Sequence, residues 1–517
     1  MAKPVTGTKK ADKITVNADN VIVVTGKTES RYPITKSGKN YIFGVGGNDT
    51  IYVKGGKNNY IYGDDKKGKV SGNNKIIISG GTYNIINGGK GADTITVGAK
   101  VLGATVFGGA GKDRITVNST KTYKSKYKGV YEGKTYTQVT YYGTYVDAGS
   151  SDDTIVANAG TGHTIYGGKG KDTITVGKKA QAYVDGGAGN DLITIKSATQ
   201  NKYIYNGETR YSNTQVDAGN GNDTITITAG SGHNVFTGSG NDTVEIKGGK
   251  NGTVTYASGN NEFIVTGGSG YKFESDYIFD GKEEYNPDNY YSKSTKWKSS
   301  VSISGGSNNS IYCGNGDDTV VISGGKNNYV DVRDGNDYVE VTGETNNSVS
   351  VSADQFGIAI GKASVYIKGG TDTHVFSGYG NNTTIYVQGG SFKEVMTEGG
   401  TVSLSAKVKY GEDASVLKRG NGGDDPVNYK VAWNDTINLS FEGNADSKED
   451  TLTITGVKFD DLMVSTEFLN AQVACTIFGK NGGKMTFRII KGGWDFGSIT
   501  VGGETFNSKE GFISALL

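Results

Sequence analysis

Gly88-Gly89-Lys90-Gly91-Ala92-Asp93-Thr94-Ile95 is followed twenty residues later by Gly108-Gly109-Ala110-Gly111-Lys112-Asp113-Arg114-Ile115, and the octet returns as Gly167 to Ile174 and Gly186 to Ile193. Looser copies end at Asp49, Asp153, Asp223, Asp242, Asp318 and Asp337. Their first residue is Ala218, Thr237 or Cys313 in places, but the closing aspartate stays. Asp153 to Asp172, Asp172 to Asp191, Asp223 to Asp242 and Asp318 to Asp337 are each 19 residues. Midway lies a second turn without an acid, as in Gly55-Gly56-Lys57-Asn58-Asn59, Gly305-Gly306-Ser307-Asn308-Asn309 and Gly324-Gly325-Lys326-Asn327-Asn328. One coil is therefore two turns and two short strands. The strands alternate, as in Thr94-Ile95-Thr96-Val97, Thr173-Ile174-Thr175-Val176 and Thr224-Ile225-Thr226-Ile227. Period-two alternation of β-branched residues puts one face inward and one outward. Ile and Val are expected in a thin core between two parallel sheets, with Thr outside.

The bulk composition agrees. Gly numbers 82 of 517 residues, Tyr 32 and Pro 4, and Leu is scarce before the C-terminal part. That suits a thin core repeated many times better than one thick core. Trp297, Trp433 and Trp494, like Pro4, Pro33, Pro287 and Pro426, lie outside the repeats, where neither an indole nor a missing ladder donor disturbs the coil. A net charge of +1 gives no basic field for nucleic acid. No apolar run reaches membrane-spanning length. Met1 to Asn20 lacks the apolar region of a Sec signal. Cys313 and Cys475 make no disulfide framework.

The octet and its strand resemble the GGxGxDxUx nonapeptide of RTX (repeats-in-toxin) proteins, a calcium-binding β-helix repeat. The resemblance implies an all-β, right-handed parallel β-roll of about 19-residue two-strand coils, closed by a C-terminal β-rich capping domain. It implies several Ca²⁺ ions held between consecutive turns. The side-chain ligands would be Asp49, Asp93, Asp113, Asp153, Asp172, Asp191, Asp223, Asp242, Asp318 and Asp337. Turn glycines Gly88, Gly91, Gly108, Gly111, Gly167, Gly170, Gly186 and Gly189 would aim carbonyls at the ion, with Asp147, Asp185 and Asp217 as auxiliaries. The family's coil carries acidic turns on both edges. Here one edge is acidic and the other rich in Asn, which puts ions on the Asn edge in doubt. Aspartates stacked about 4.8 Å apart form a column of like charge. Each neighbouring pair costs roughly 1 kcal/mol in water and roughly 3 to 4 kcal/mol at an effective dielectric near 20. The metal-free chain is expected to be largely unfolded and to fold cooperatively with calcium.

Three segments break the rhythm: Ser119 to Thr144, Ser197 to Gln215 and Ser269 to Ser300. The first two fall in the non-acidic half-coil and are expected to protrude from one side. Their Tyr and Lys content suits recognition, and Tyr123, Tyr127, Tyr131, Tyr141, Tyr142, Tyr290, Tyr291 and Trp297 are the candidate contact residues. Solvated hairpins without a function are the plainer reading. The expected organisation is an N-terminal cap over 1–44, a roll over 45–400 and a capping and secretion domain over 401–517. Asp12-Lys13-Ile14-Thr15-Val16 and Asn20-Val21-Ile22-Val23-Val24 already read as coil. From about Thr401 the rhythm stops. Phe459 to Val464 and Ile499 to Phe506 resemble the domain that follows RTX repeats, and the tail Phe512-Ile513-Ser514-Ala515-Leu516-Leu517 falls where the family has an uncleaved type I secretion signal.

The chain contains no His-Glu-x-x-His motif, and Gly267-Gly268-Ser269-Gly270-Tyr271 lacks the closing glycine of a nucleophile elbow. His163 and His233 occupy turn positions equivalent to Asn59, about three coils or roughly 14 Å apart, too far for one metal. No enzyme is expected. Two functions stay open: self-assembly into a surface layer, fibre or matrix, and adhesion to a glycan or host surface through the insertions. Calcium loading would add roughly two positive charges per site and suit an anionic polysaccharide. Ice binding by outward Thr ladders is disfavoured, because Arg114, Leu192 and Glu245 interrupt them. The setting implied is secreted, at the surface of a Gram-negative bacterium.

Overall fold

Alternation and turn chemistry decide the architecture strand by strand. In Thr94–Leu102 the first four residues are exposed, buried, half-buried and buried in turn. The same alternation holds in Thr224–Ile227 and Thr243–Ile246. Each strand pairs in parallel with the one a full coil away. Arg114–Val117 lies between Thr94–Val97 and Thr154–Ala157, and Thr105–Phe107 lies between Ile85–Asn87 and Tyr145–Asp147. A coil thus gives one strand to each of two parallel sheets. Ile95, Ile115 and Ile155 from one sheet, and Ile86, Val106 and Val146 from the other, are fully buried. This is the parallel β-roll expected. It is described by a computed structural model over residues 5–7, 13–16, 22–25, 41–44, 46–64, 71–131, 134–205, 208–275, 297–314, 316–333, 335–343, 345–351, 362–378, 383–419, 426–443, 450–469, 472–489 and 496–517. Among these, no helix is long and apolar enough to cross a membrane.

The chain divides into two units, Met1–Ser258 and Gly259–Leu517. In the first, coil begins at the N-terminus as expected: Val5–Gly7 pairs with Val23–Thr25, and Lys13–Val16 with Thr50–Val53. The insertions do more than protrude. Tyr123–Tyr131 with Lys134–Tyr142, and Asn201–Tyr205 with Glu208–Ser212, are antiparallel hairpins joined at Val139 and Ile204 into one four-stranded sheet.

In the second unit the parallel ladder runs past Thr401. Thr384 pairs with Thr401, Thr401 with Asn428, Asn428 with Thr451 and Thr451 with Ser498. The ladder outlasts both the Gly-Asp turn, whose last copy ends at Asp337, and the even coil length, since Tyr338 pairs with Ser364, 26 residues on, and Thr384 with Thr401, 17 residues on. Leu462–Leu469, Gln472–Gly479 and Lys484–Ile489 form an antiparallel meander, and its last strand rejoins the parallel sheet beside Asn438–Phe441. The core thickens here, with Phe441, Phe487 and Phe496 packed at 5.0 to 6.1 Å between ring centroids. Trp433 is buried in this thicker part and donates to Gly482 O at 3.3 Å. The tail forms the helix Lys509–Leu516, capped by Ser508 Oγ, and its Phe512 is buried against Phe459 and Phe506. Cys313 and Cys475 are both buried.

Candidate metal centre along the acidic edge

The Gly-Asp turns build an acceptor column from the backbone upward. The second and fourth turn positions hold a positive φ: 114° and 113° at Gly89 and Gly91, and 103° and 137° at Gly187 and Gly189. Glycine is the residue that takes this region without strain. The first position is crowded instead. A Cβ on Gly88 would lie 2.4 Å from Asp93 Oδ2 and 2.6 Å from Gly108 O of the next coil. On Gly186 it would meet Asp191 Oδ2 at 2.6 Å and Ala218 O at 2.3 Å. Gly88, Gly108, Gly167 and Gly186 hold no positive φ and sit in close quarters, although Ala148, Ala218, Thr237 and Cys313 occupy the same position in other coils, so glycine is not obligatory there.

All ten predicted aspartates sit in this position and are buried. Each Oδ1 that is engaged accepts the backbone N–H of the residue one coil earlier. Asp93 N donates to Asp113 Oδ1 at 2.8 Å, Asp113 N to Asp153 at 2.6 Å, Asp153 N to Asp172 at 2.7 Å, and Asp172 N to Asp191 at 2.8 Å. Asp191 N to Asp223, Asp223 N to Asp242, and Asp318 N to Asp337 continue the pattern. The other oxygen is different. Oδ2 of Asp93, Asp113, Asp153, Asp172, Asp191, Asp223 and Asp318 is buried with no donor. Burial is the main force that raises these carboxyls, opposed by the N–H bonds and, at Asp93, Asp153 and Asp318, reinforced by neighbouring aspartates. Asp93 and Asp153 are pushed up to about 8, Asp318 to about 9, Asp223 to about 7, and Asp113 and Asp172 to about 6. A buried carboxylate oxygen without a donor calls for a proton or a cation.

The chain itself shows what fits there. Asn74 stands in the column between Asp49 and Asp93: its Oδ1 accepts from Asp49 N at 3.0 Å, and its N–H donates to Asp93 Oδ1 at 2.6 Å. Its Nδ2, in the place of Oδ2, donates to Gly72 O at 3.2 Å, Gly88 O at 3.4 Å and Asp64 Oδ1 at 3.1 Å. The surroundings of that atom are thus all oxygen acceptors. Asp450, just before Thr451–Thr455, repeats the column geometry by accepting Val427 N on Oδ1 at 2.8 Å. Its Oδ2 faces the buried guanidinium of Arg419, with Nε 3.7 Å away. An amide donor in one coil and a guanidinium cation in another satisfy the place that is left without a donor at seven aspartates.

The opposite edge uses the same ladder with its donors built in. Asn309 N donates to Asn328 Oδ1 at 3.2 Å, and Asn328 N to Asn347 Oδ1 at 3.0 Å. Asn59 Nδ2 donates to Gly55 O at 3.0 Å, four residues back. His163 copies this with a ring: Nδ1 accepts Thr144 N at 2.9 Å, and Nε2 lies 2.9 Å from Ala159 O. That requires the neutral Nε2–H tautomer, and burial pushes its pKa down. His233 Nε2 likewise meets Ala229 O at 3.0 Å. His163 and His233 thus act within turns as Asn59 does, and the asparagines of this edge bring the donors that the aspartates lack.

Asp185 and Asp217 pair in register and follow the buried Val184 and Val216, so they face outward with Asp147, yet Asp185 still helps to raise Asp191 and Asp217 helps to raise Asp223. Tyr123 and Tyr142 are exposed, with rings 6.3 Å apart, and Tyr83 lies 5.8 Å from Tyr123. The side chains of Tyr127, Tyr131 and Tyr141, and the whole of Tyr290 and Tyr291, lie outside the described residues; Trp297 is exposed. Among the described residues, no three His, Cys, Asp or Glu side chains converge as a metal cage. Any ion on the acidic edge would take most of its oxygens from turn carbonyls, a donor set that suits a hard cation such as Ca²⁺. Comparison with protein-family models, curated proteins and solved structures found no match.

Proposed function

We propose that this chain is a calcium-dependent extracellular structural protein. Ions taken up along the acidic edge complete the fold after secretion, and the folded rolls assemble with copies of themselves into a surface layer, fibre or matrix. The observation that carries the metal reading is the row of donorless Oδ2 atoms from Asp93 to Asp223 and at Asp318. It gains weight from Asn74, which fills the same place with an amide donor, and from Asp450, which faces the Arg419 cation there. The turn motif's resemblance to RTX repeats supports Ca²⁺ as the ion. It also supports type I export to the surface of a Gram-negative bacterium. In this scheme the aspartates of neighbouring coils, with turn carbonyls, would hold each ion. The ion would supply charge neutralisation and coil-to-coil cross-linking.

The assembly reading draws on repeats that occupy most of the chain. A second reading, adhesion to a surface glycan, is favoured by the exposed cluster of Tyr83, Tyr123 and Tyr142. Electron microscopy of the purified chain with added calcium separates the two. Ordered sheets or filaments support assembly. Dispersed monomers that bind glycan support adhesion. Deleting 276–296 with calcium present then asks whether that segment is an interface: assembly should be lost while calcium-induced β-structure remains.

A further inference from the structure

On the second unit, a groove of about 880 Å³ crosses four consecutive coils on the side away from the acidic turns. Its walls include Lys368, Lys407 and Lys409, and its floor is made of glycine turns with Gln388 and Ser391. Thr371 Oγ1 donates to Thr345 Oγ1 at 3.2 Å, and Ser391 Oγ accepts Asp372 N at 3.1 Å, so hydroxyls step along the groove from coil to coil. Tyr410 closes one end, and its hydroxyl is buried without a hydrogen-bond partner. Among the described residues the lining itself holds no Asp or Glu, while Asp372 adjoins Thr371 and Glu412 and Asp413 follow Gly411. The nearby Glu340 is held by Lys368 at 2.7 Å and by the Tyr338 hydroxyl.

The groove continues onto an aromatic ladder. Tyr366 and Tyr386 stack at 5.0 Å and 13°, and Tyr338 lies 5.3 Å from Tyr366 on its other side. Tyr366 and Lys368, like Tyr386 and Gln388, are two residues apart and share the outward face of one strand. Lys368 Nζ sits 5.7 Å from the Tyr366 ring.

We propose that this groove binds an extended acidic polysaccharide. Lys407 and Lys409 are exposed and form no ion pair among the described residues, so their ammonium groups are available to a polyanion, while Lys368 is already engaged by Glu340. The hydroxyls, the amide and the peptide groups of the floor match the many hydroxyls of a sugar chain. A single-stranded nucleic acid needs free aromatic faces on which to stack its bases. Tyr366 has a ring against each face and offers only edges, so the saccharide is the better fit. The groove shares no lining residue with the acidic column or with the insertions.

The test uses the full chain in calcium, with circular dichroism confirming the β-fold first. Binding is measured to chondroitin sulfate, to neutral dextran and to poly(dT). The expected result is salt-sensitive binding to chondroitin sulfate alone, weakened about thirtyfold in the Lys407→Gln/Lys409→Gln double variant. A Tyr386→Ser variant should weaken it also, with the β-fold retained in both. Equal binding by the double variant would assign the polyanion to the calcium-loaded edge or the insertions and overturn the proposal. Binding of dextran or poly(dT) as tight as that of chondroitin sulfate would also overturn it. A chain that folds without calcium would defeat the metal reading and leave this test intact.

Discussion

Replacing Asp172 by Asn should stabilise the metal-free protein and weaken its response to calcium. Asp172 lies mid-column. Its Oδ1 holds Asp153 N at 2.7 Å, and its Oδ2 has no donor. Burial raises its carboxyl from 3.8 to about 6. That is about two units, and at about 1.4 kcal/mol per unit the ionised group opposes folding by roughly 3 kcal/mol above pH 6. The sign follows from the direction. A carboxyl raised in the folded state favours folding most below about pH 4, and this is lost as pH rises through the folded value. Asparagine keeps the Oδ1 bond and brings an amide donor, as Asn74 does with Gly72 O and Gly88 O. In chelator at pH 7.5 the unfolding free energy of Asp172→Asn from urea melts should rise by an amount approaching 3 kcal/mol, and at pH 4 by almost nothing. Where the chelated wild type is unfolded, the pH at which it folds on acidification serves as the measure. In calcium the variant should bind less metal and be less stable than the wild type, so the gap between loaded and chelated forms narrows from both sides. An Asp172→Asn protein that is less stable than wild type in chelator at pH 7.5 would refute the reasoning.

The chelated wild type should gain β-structure by circular dichroism as pH falls from about 9 to about 4, the range spanned by the raised carboxyls of Asp318, Asp93, Asp153, Asp223, Asp113 and Asp172. Arg419→Met should cost about 3 to 5 kcal/mol in urea melts with or without calcium, because it strands the buried Asp450; adding Asp450→Asn should recover part of the loss. His163→Ala should cost about 1 to 3 kcal/mol by leaving Thr144 N and Ala159 O unpaired, while His163→Asn should cost less, since Asn fills the same role at Asn59. Gly109→Ala should destabilise by more than about 1 kcal/mol in thermal melts, because φ there is 115° and a Cβ would meet Gly89 O at 2.1 Å.

Much of this was legible because a solenoid writes its contacts as a period. The 19-residue step between Asp153, Asp172 and Asp191 is also their stacking register, so the column could be read from spacing alone. The equivalence of His163 with Asn59 came from the same count. What escaped reading has no period. Arg419 and Asp450 meet across coils of uneven length, where no Gly-Asp turn marks the register. The ladder beyond Thr401 was hidden for the same reason: pairing needs only extended chain and apolar alternation, while the motif marks only the turns that carry aspartate. The two hairpins join through Val139 and Ile204, a contact between insertions that belong to different coils. Spacing shows that the first turn glycine recurs; only the structure shows how close Asp Oδ2 and the next coil's carbonyl come to it.

The central claim is that cations sit along the inner acidic edge, beside carboxylate oxygens that the protein leaves without donors. Crystals grown in calcium and soaked in terbium would locate those ions by anomalous scattering. Peaks are predicted about 2.3 to 2.6 Å from Oδ2 of Asp153, Asp172 and Asp191, with none along the Asn309–Asn328–Asn347 ladder and none at Asp450. A folded protein whose acidic turns show no such peaks would contradict it.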